Sequence, residues 1–389
     1  MNNMKNSFLK TLLVCLISTT GIYQAAAQEP LADNCEPIVA RLAFSQEAKI
    51  QVALLLDASN SMDGLIEQAK SRLWNIVNTL TTLKYEGQTP QIEIALYMYG
   101  NDGLDPHTGY IKQLNAFTSD LDLISEKLFA ISTNGGSEYC GAVIGQAVKK
   151  LEWGDGKDNM KLIYIAGNER FNQGDVSYIE SISDAKSKDI YINTIHCGDY
   201  STGVTGYWKD GADRGRGKYY CINPDEKVIY VATPYDDQIN KYNIKLNNTY
   251  IFYGTCGYSG WSNQSKQDLN AQGISNANIT ERAVSKSSNA YRNDAWDLVD
   301  KVNADSTYIS KVEKNTLPAE YQNLTKEQLK AEINKKTKER QSIQNEIQEL
   351  NRKRMEYIQS NTISSGDDFG NAVNESVIEV AKVKGYKVK

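Results

Sequence analysis

Ile50-Gln51-Val52-Ala53-Leu54-Leu55-Leu56 runs directly into Asp57-Ala58-Ser59-Asn60-Ser61, and the junction between these two pieces organises everything that follows. A near-continuous apolar run is what a central parallel strand needs when helices cover both of its faces. A stretch of helical length comes next, with Leu65, Ile66, Ala69, Leu73, Ile76, Val77 and Leu80 repeating at the 3.6-residue period. In an open α/β sheet, ligands bind beyond the carboxyl ends of the strands, near the point where strand order reverses. A carboxylate and two hydroxyls at i, i+2 and i+4 of an extended turn can face one side. Hard oxygen donors of this kind suit Mg²⁺ or another divalent cation such as Mn²⁺ or Ca²⁺.

Strand-like runs recur at Ile92–Tyr99, Ile111–Phe117, Lys161–Ala166, Ile190–His196 and Lys218–Ile222. Helical patterns lie between them at Leu121–Ala130, Ala142–Leu151 and Val176–Lys186. Strand and helix in alternation imply an α/β fold, a doubly wound and mostly parallel sheet, over residues 48–232. A helical extension is expected over 233–317, opened by Thr233-Pro234 and closed by the break at Pro318. From Leu324 to Tyr357 the chain lacks Gly and Pro, and positions 329, 333, 336, 340, 343, 347, 350, 354 and 357 follow a 4-3 spacing. That spacing predicts a long helix over 324–360. Its stripe is interrupted by Lys336, Arg340 and Arg354, and it reads either as a short coiled coil, hence a homo-oligomer through the C-terminal helix, or as one helix folded back on the body. After a loop at Ser364-Ser365-Gly366-Asp367, a last amphipathic helix is expected within 367–385, stopped by Gly385.

Lys5 and Lys10, the apolar run Thr11–Ile17 and Ala25-Ala26-Ala27 have the layout of a secretory signal peptide cut after Ala27. The expected destination is the periplasm, the cell surface or the extracellular space. The run is too short to span a membrane, and no later stretch approaches that length. Removing residues 1–27, which carry two Lys and no acid, takes the formal charge from −5 to −7. An acidic surface of this kind disfavours nucleic acid as a partner. Tyr outnumbers Phe by 24 to 7, which suits half-buried surfaces but is a weak signal of any one role. Five cysteines then remain (Cys35, Cys140, Cys197, Cys221 and Cys256), so at least one is left over from intramolecular pairing. With no CxxC and only His107 and His196, a zinc site is not expected. A disulfide from Cys140 to Cys197 is one expected pairing in an oxidising compartment.

Asp57, Ser59 and Ser61 resemble the D-x-S-x-S of the metal-ion-dependent adhesion site in von Willebrand factor A domains. The resemblance implies a Rossmann-like sheet and a fourth ligand from a Gly-Gly-Thr-like loop. Here that loop is Gly135-Gly136-Ser137, so Ser137 matches with its hydroxyl retained. The family's fifth ligand is an Asp just past the fourth strand. In this chain the segment reads Ile165-Ala166-Gly167-Asn168-Glu169, with Gly167 where the Asp belongs and Glu169 as a supplementary donor two residues on. Ala166-Gly167-Asn168-Glu169, Thr233-Pro234-Tyr235-Asp236-Asp237 and Tyr291-Arg292-Asn293-Asp294-Ala295-Trp296 also resemble a group of exported bacterial members. The resemblance implies a binding module that takes a protein or acidic ligand through a cation.

Three other readings are kept beside it. In the first, the metal site is vestigial, Asp57 and its serines brace the turn, and the chain is a structural or assembly protein of the cell envelope. In the second, Cys140 and His196 form the thiol–imidazole pair of a hydrolase, which also requires an orienting group and an oxyanion hole. The third takes Asp102, Asp105 and His107 as a second metal site rather than a solvated turn.

Overall fold

Six strands build the sheet: β1 (Lys49–Asp57), β2 (Gln91–Tyr99), β3 (Ile111–Thr118), β4 (Met160–Gly167), β5 (Tyr191–Cys197) and β6 (Arg216–Ile222). Their spatial order is β3-β2-β1-β4-β5-β6, and all are parallel except the edge strand β3. Strand order reverses between β1 and β4, so the carboxyl ends of these two strands flank the crevice where this topology places ligands. The computed structural model describes residues 48–361 and 369–388. The signal peptide, Cys35 and the Ser364–Asp367 loop expected from sequence lie outside the described residues.

Side-chain alternation along β1 sorts the core into two layers. Ile50, Val52, Leu54 and Leu56 join one apolar cluster, while Ala53 and Leu55 join another on the opposite face. Asp57 has the parity of Ala53 and Leu55, and it therefore leaves the sheet on the second face. Tyr99 follows Ala95 and Tyr97 onto that same face, and Gly167 follows Ile163 and Ile165.

On the first face lie α1 (Asp63–Thr82) and α2 (Leu121–Phe129). Asp120 caps α2, its carboxylate accepting from the amides of Asp122 and Leu123 at 3.0 Å. On the second face lie α3 (Cys140–Lys150) and α4 (Tyr178–Ser187). Two short helices, α5 (Tyr200–Thr205) and α6 (Trp208–Arg214), complete the crossover to β6. The periodicity of the sequence does not predict them.

The remaining helices are α7 (Asp236–Asn247), α8 (Gly257–Ile274), α9 (Asn276–Lys286), α10 (Leu298–Ala304), α11 (Ala319–Gln322), α12 (Lys326–Asn361) and α13 (Phe369–Val383). Ile239 and Leu246 of α7 and Ala283 of α9 share the apolar cluster of the first sheet face. So do Val373 and Val377 of α13, and the Tyr164 hydroxyl of β4 meets Ser376 Oγ at 2.7 Å. Among the described residues, no helix is long and apolar enough to cross a membrane.

The 4-3 stripe of α12 packs on the chain itself. Leu329, Ile333, Arg340, Ile343, Ile347, Leu350 and Arg354 are buried against the chain's own body. The two arginines that would weaken a coiled-coil seam are here its anchors. Arg340 donates to Asp297 at 2.7 Å, Asp300 at 2.6 Å and the Thr249 carbonyl at 2.8 Å, and Arg354 reaches Asp236 at 2.9 Å. Of the two readings of the stripe, the packing matches the helix folded back on the body, where a charge inside an apolar row is tolerated because its own chain supplies the counter-charge.

Candidate metal centre

Two segments leave the sheet side by side and are stitched together by backbone. The Ala58 amide donates to the Tyr99 carbonyl at 2.8 Å, Asn134 N–H to Ala58 O at 3.0 Å, and Asn60 N–H to Gly135 O at 3.0 Å. The Asp57–Ser61 turn is thereby laid against the Gly-Gly-Ser loop, as the sequence pattern implies. Gly135 takes φ +55°, and a methyl group there would fall 2.0 Å from an Asp102 carboxylate oxygen, so only glycine fits this turn.

Asp57 is fully buried and Ser59 is 2% exposed. The Ser59 amide donates to Asp57 Oδ1 at 2.8 Å, and Ser59 Oγ lies 3.2 Å from Ser61 Oγ. Asp57 Oδ2 is buried and has no hydrogen-bond partner. Ser137 sits half-buried between Gly136 and Glu138. Glu169 is placed differently: its carboxylate is exposed and accepts from Gln173 at 3.1 Å.

Two residues that the sequence pattern did not single out stand in this cluster. Asn168 donates to Ser61 Oγ at 3.1 Å while its own Oδ1 is buried without a partner. Glu138 is 4% exposed, and its Oε2 is likewise buried and unpartnered. A methyl group on Gly100 would come within 2.8 Å of both Asp57 Oδ1 and Glu138 Cγ, and one on Gly136 would meet Ser59 Cβ at 2.9 Å and Glu138 Oε1 at 3.1 Å. These two glycines leave the space in which the carboxyls converge. Glu138 was visible in sequence as the acid directly after Ser137, but its burial depends on the distant Gly100.

Burial, and after it the neighbouring Glu138 carboxyl, pushes Asp57 well above the ordinary carboxylate range. Burial also raises Glu138, even though Asp57, Ser59 and the Glu169 amide act in the opposite direction. A buried carboxyl pair without a cation is costly. Orphaned carboxylate oxygens beside paired hydroxyls form a donor set that fits a hard divalent ion. At the position of the family's second Asp, a methyl group on Gly167 would lie 2.7 Å from the Tyr99 hydroxyl and 3.0 Å from Asp57 Oδ2. Tyr99 holds that space by donating to the Ala166 carbonyl at 3.0 Å.

The competing constellations separate. Cys140 and Cys197 are free thiols, which overturns the expected Cys140–Cys197 disulfide, while Cys256 is disulfide-bonded. Cys140 is buried against the Tyr99 hydroxyl at 3.7 Å, and burial pushes its thiol far up, away from the thiolate a nucleophile needs. His196 packs on Trp208 with ring centroids 5.7 Å apart. Asp105 caps a single turn by accepting from the His107 amide at 2.9 Å, as a turn residue does.

No protein-family profile matches the chain, and no curated protein matches it in sequence. Solved structures do resemble part of it. The conserved hypothetical protein BatB from Bacteroides thetaiotaomicron is 16% identical with a TM-score of 0.35, over 45% of this chain and 90% of that one. The SpRpn10 VWA domain is 16% identical with a TM-score of 0.35, over 46% of this chain and 90% of that one. Proximal thread matrix protein 1 from the mussel byssus, in a structure with a zinc-occupied MIDAS motif, is 14% identical with a TM-score of 0.36, over 46% of this chain and 43% of that one.

Proposed function

We propose that the chain is an exported binding module of the von Willebrand factor A type, which takes a protein or other acidic ligand through a divalent cation held at the sheet's switch point. Asp57, Ser59, Ser61 and Ser137 are the proposed ligands, with Glu169 at the rim. The observation that carries this reading is the orphaned, fully buried Asp57 Oδ2 beside the Ser59–Ser61 hydroxyl pair. Mg²⁺ is the ion we favour, since the donors are oxygens, with Mn²⁺ or Ca²⁺ as substitutes. A cation so held would leave positions for a carboxylate of the partner.

Thermal melting of the purified protein in Mg²⁺ against EDTA tests the reading. At a concentration a hundredfold above the dissociation constant, a bound ion stabilises by about 2.7 kcal/mol, and Asp57→Ala should lose this response. Equal melting of the wild type in Mg²⁺, Mn²⁺ and EDTA would instead favour a vestigial site in a structural protein of the envelope.

A further inference from the structure

We infer that Glu138 supplies the second carboxylate of the cation site, entering from the loop before α3 rather than from the end of β4. This rests on the reading of Asp57 as a metal ligand and adds to it a residue that the D-x-S-x-S pattern does not contain. Four observations converge. Glu138 is 4% exposed with an unpartnered Oε2, and Asp57 is fully buried with an unpartnered Oδ2. Both flank the small space over Gly100, which takes φ +74° and where any side chain would collide with the two of them. A Cβ on Gly136 would meet Ser59 Cβ at 2.9 Å and Glu138 Oε1 at 3.1 Å, so the Glu138 carboxyl stands beside the serine turn as well. Finally, Gly167 has no room for a carboxylate, because the Tyr99 hydroxyl stands where its Cβ would point.

The physical case is one of charge balance. Two buried carboxylates without a counter-charge are expensive, and a single divalent ion neutralises both at once. The chain thus keeps the charge count of a two-acid site while moving the second acid from the strand end to the loop, one residue past the Ser137 hydroxyl. Glu169, exposed and engaged with Gln173, is left free to act at the rim. A site of oxygen donors alone, with two carboxylates, should prefer Mn²⁺ and Mg²⁺ to softer ions.

Mn²⁺ titration followed by electron paramagnetic resonance, on the wild type and on Asp57→Asn, Glu138→Gln and Glu138→Asp, separates the possibilities. We expect Asp57→Asn to abolish binding, Glu138→Gln to weaken it at least about tenfold, and Glu138→Asp to fall between Glu138→Gln and wild type. Circular dichroism establishes that each variant is folded, and Glu138→Asp retains the charge should Glu138→Gln fail to fold. Wild-type affinity in a folded Glu138→Gln or Glu138→Asp, with Asp57→Asn still inactive, overturns the role of Glu138 and leaves the cation reading standing. Absence of Mn²⁺ binding by the wild type overturns both.

Discussion

Carboxylates are buried in two regions of this chain, on opposite terms. Where α2, α8 and α9 meet, Arg282 pairs with Asp122 at 2.7 Å and Asp268 at 2.6 Å, and Lys286 joins Asp268 at 3.0 Å. Tyr291 adds a hydroxyl to Asp122 at 2.6 Å, and the Arg282 guanidinium lies over the Trp74 ring. Burial by itself would raise Asp268, but Lys286 and Arg282 hold it far below the usual carboxylate range. At the sheet end, burial and a second acid raise Asp57 instead. The first region is a fastening, complete in itself. The second is acidic and incomplete, as the proposed cation site requires.

The sharpest way to break this comparison is to remove the shared cation of the fastening. Arg282→Met leaves Asp122 and Asp268 short of their partner and should cost about 3–5 kcal/mol in urea unfolding. A cost below about 1 kcal/mol would class these pairs with surface salt bridges. The second intervention reverses the sign. In EDTA at neutral pH, Asp57→Asn removes a carboxyl whose ionisation burial and Glu138 oppose, and should stabilise the protein by about 0.5–2 kcal/mol. Destabilisation there would mean that the carboxylate braces the turn.

The smallest expected effect concerns Asp300, which burial and then Asp297 raise to about 6 despite the contact with Arg340. An acid whose folded value lies above its unfolded one holds its proton longer in the native state. Its stabilising contribution is therefore complete below about pH 4 and is lost as pH rises through about 6. Asp300→Asn should flatten that portion of the stability–pH curve, and an unchanged curve would remove Asp300 as its source.

The sheet was legible because its strands are apolar runs set between helical periods, signals that lie within short windows of sequence. α5 and α6 were not, since Tyr200–Arg214 is short and broken by Gly203, Gly206 and Gly211, leaving too few turns for a period to register. Arg340 and Arg354 were read as flaws in a stripe because their answering acids, Asp297 and Asp236, are far away in the sequence. The same holds at the site. Asp57, Ser59 and Ser61, the proposed ligands, form a local pattern legible in sequence, whereas the place of Glu138 follows from glycines at 100 and 136 that must come together first. The Cys140–Cys197 pairing failed for a similar reason: Cys140 turns toward Tyr99 of a neighbouring strand, a contact invisible in linear spacing.

The position of α13 has a consequence for the order of assembly. Phe369, Val373 and Val377 belong to the same apolar cluster as Ile50 and Leu54, although Phe369 is synthesised long after the last strand of the six-stranded sheet ends at Ile222. Until those final turns emerge, the underside of β4 around Tyr164 has no permanent cover, and contacts of such large sequence separation form slowly. Closure of this face is therefore expected after the strands have paired, since its cover comes from a segment distant in sequence.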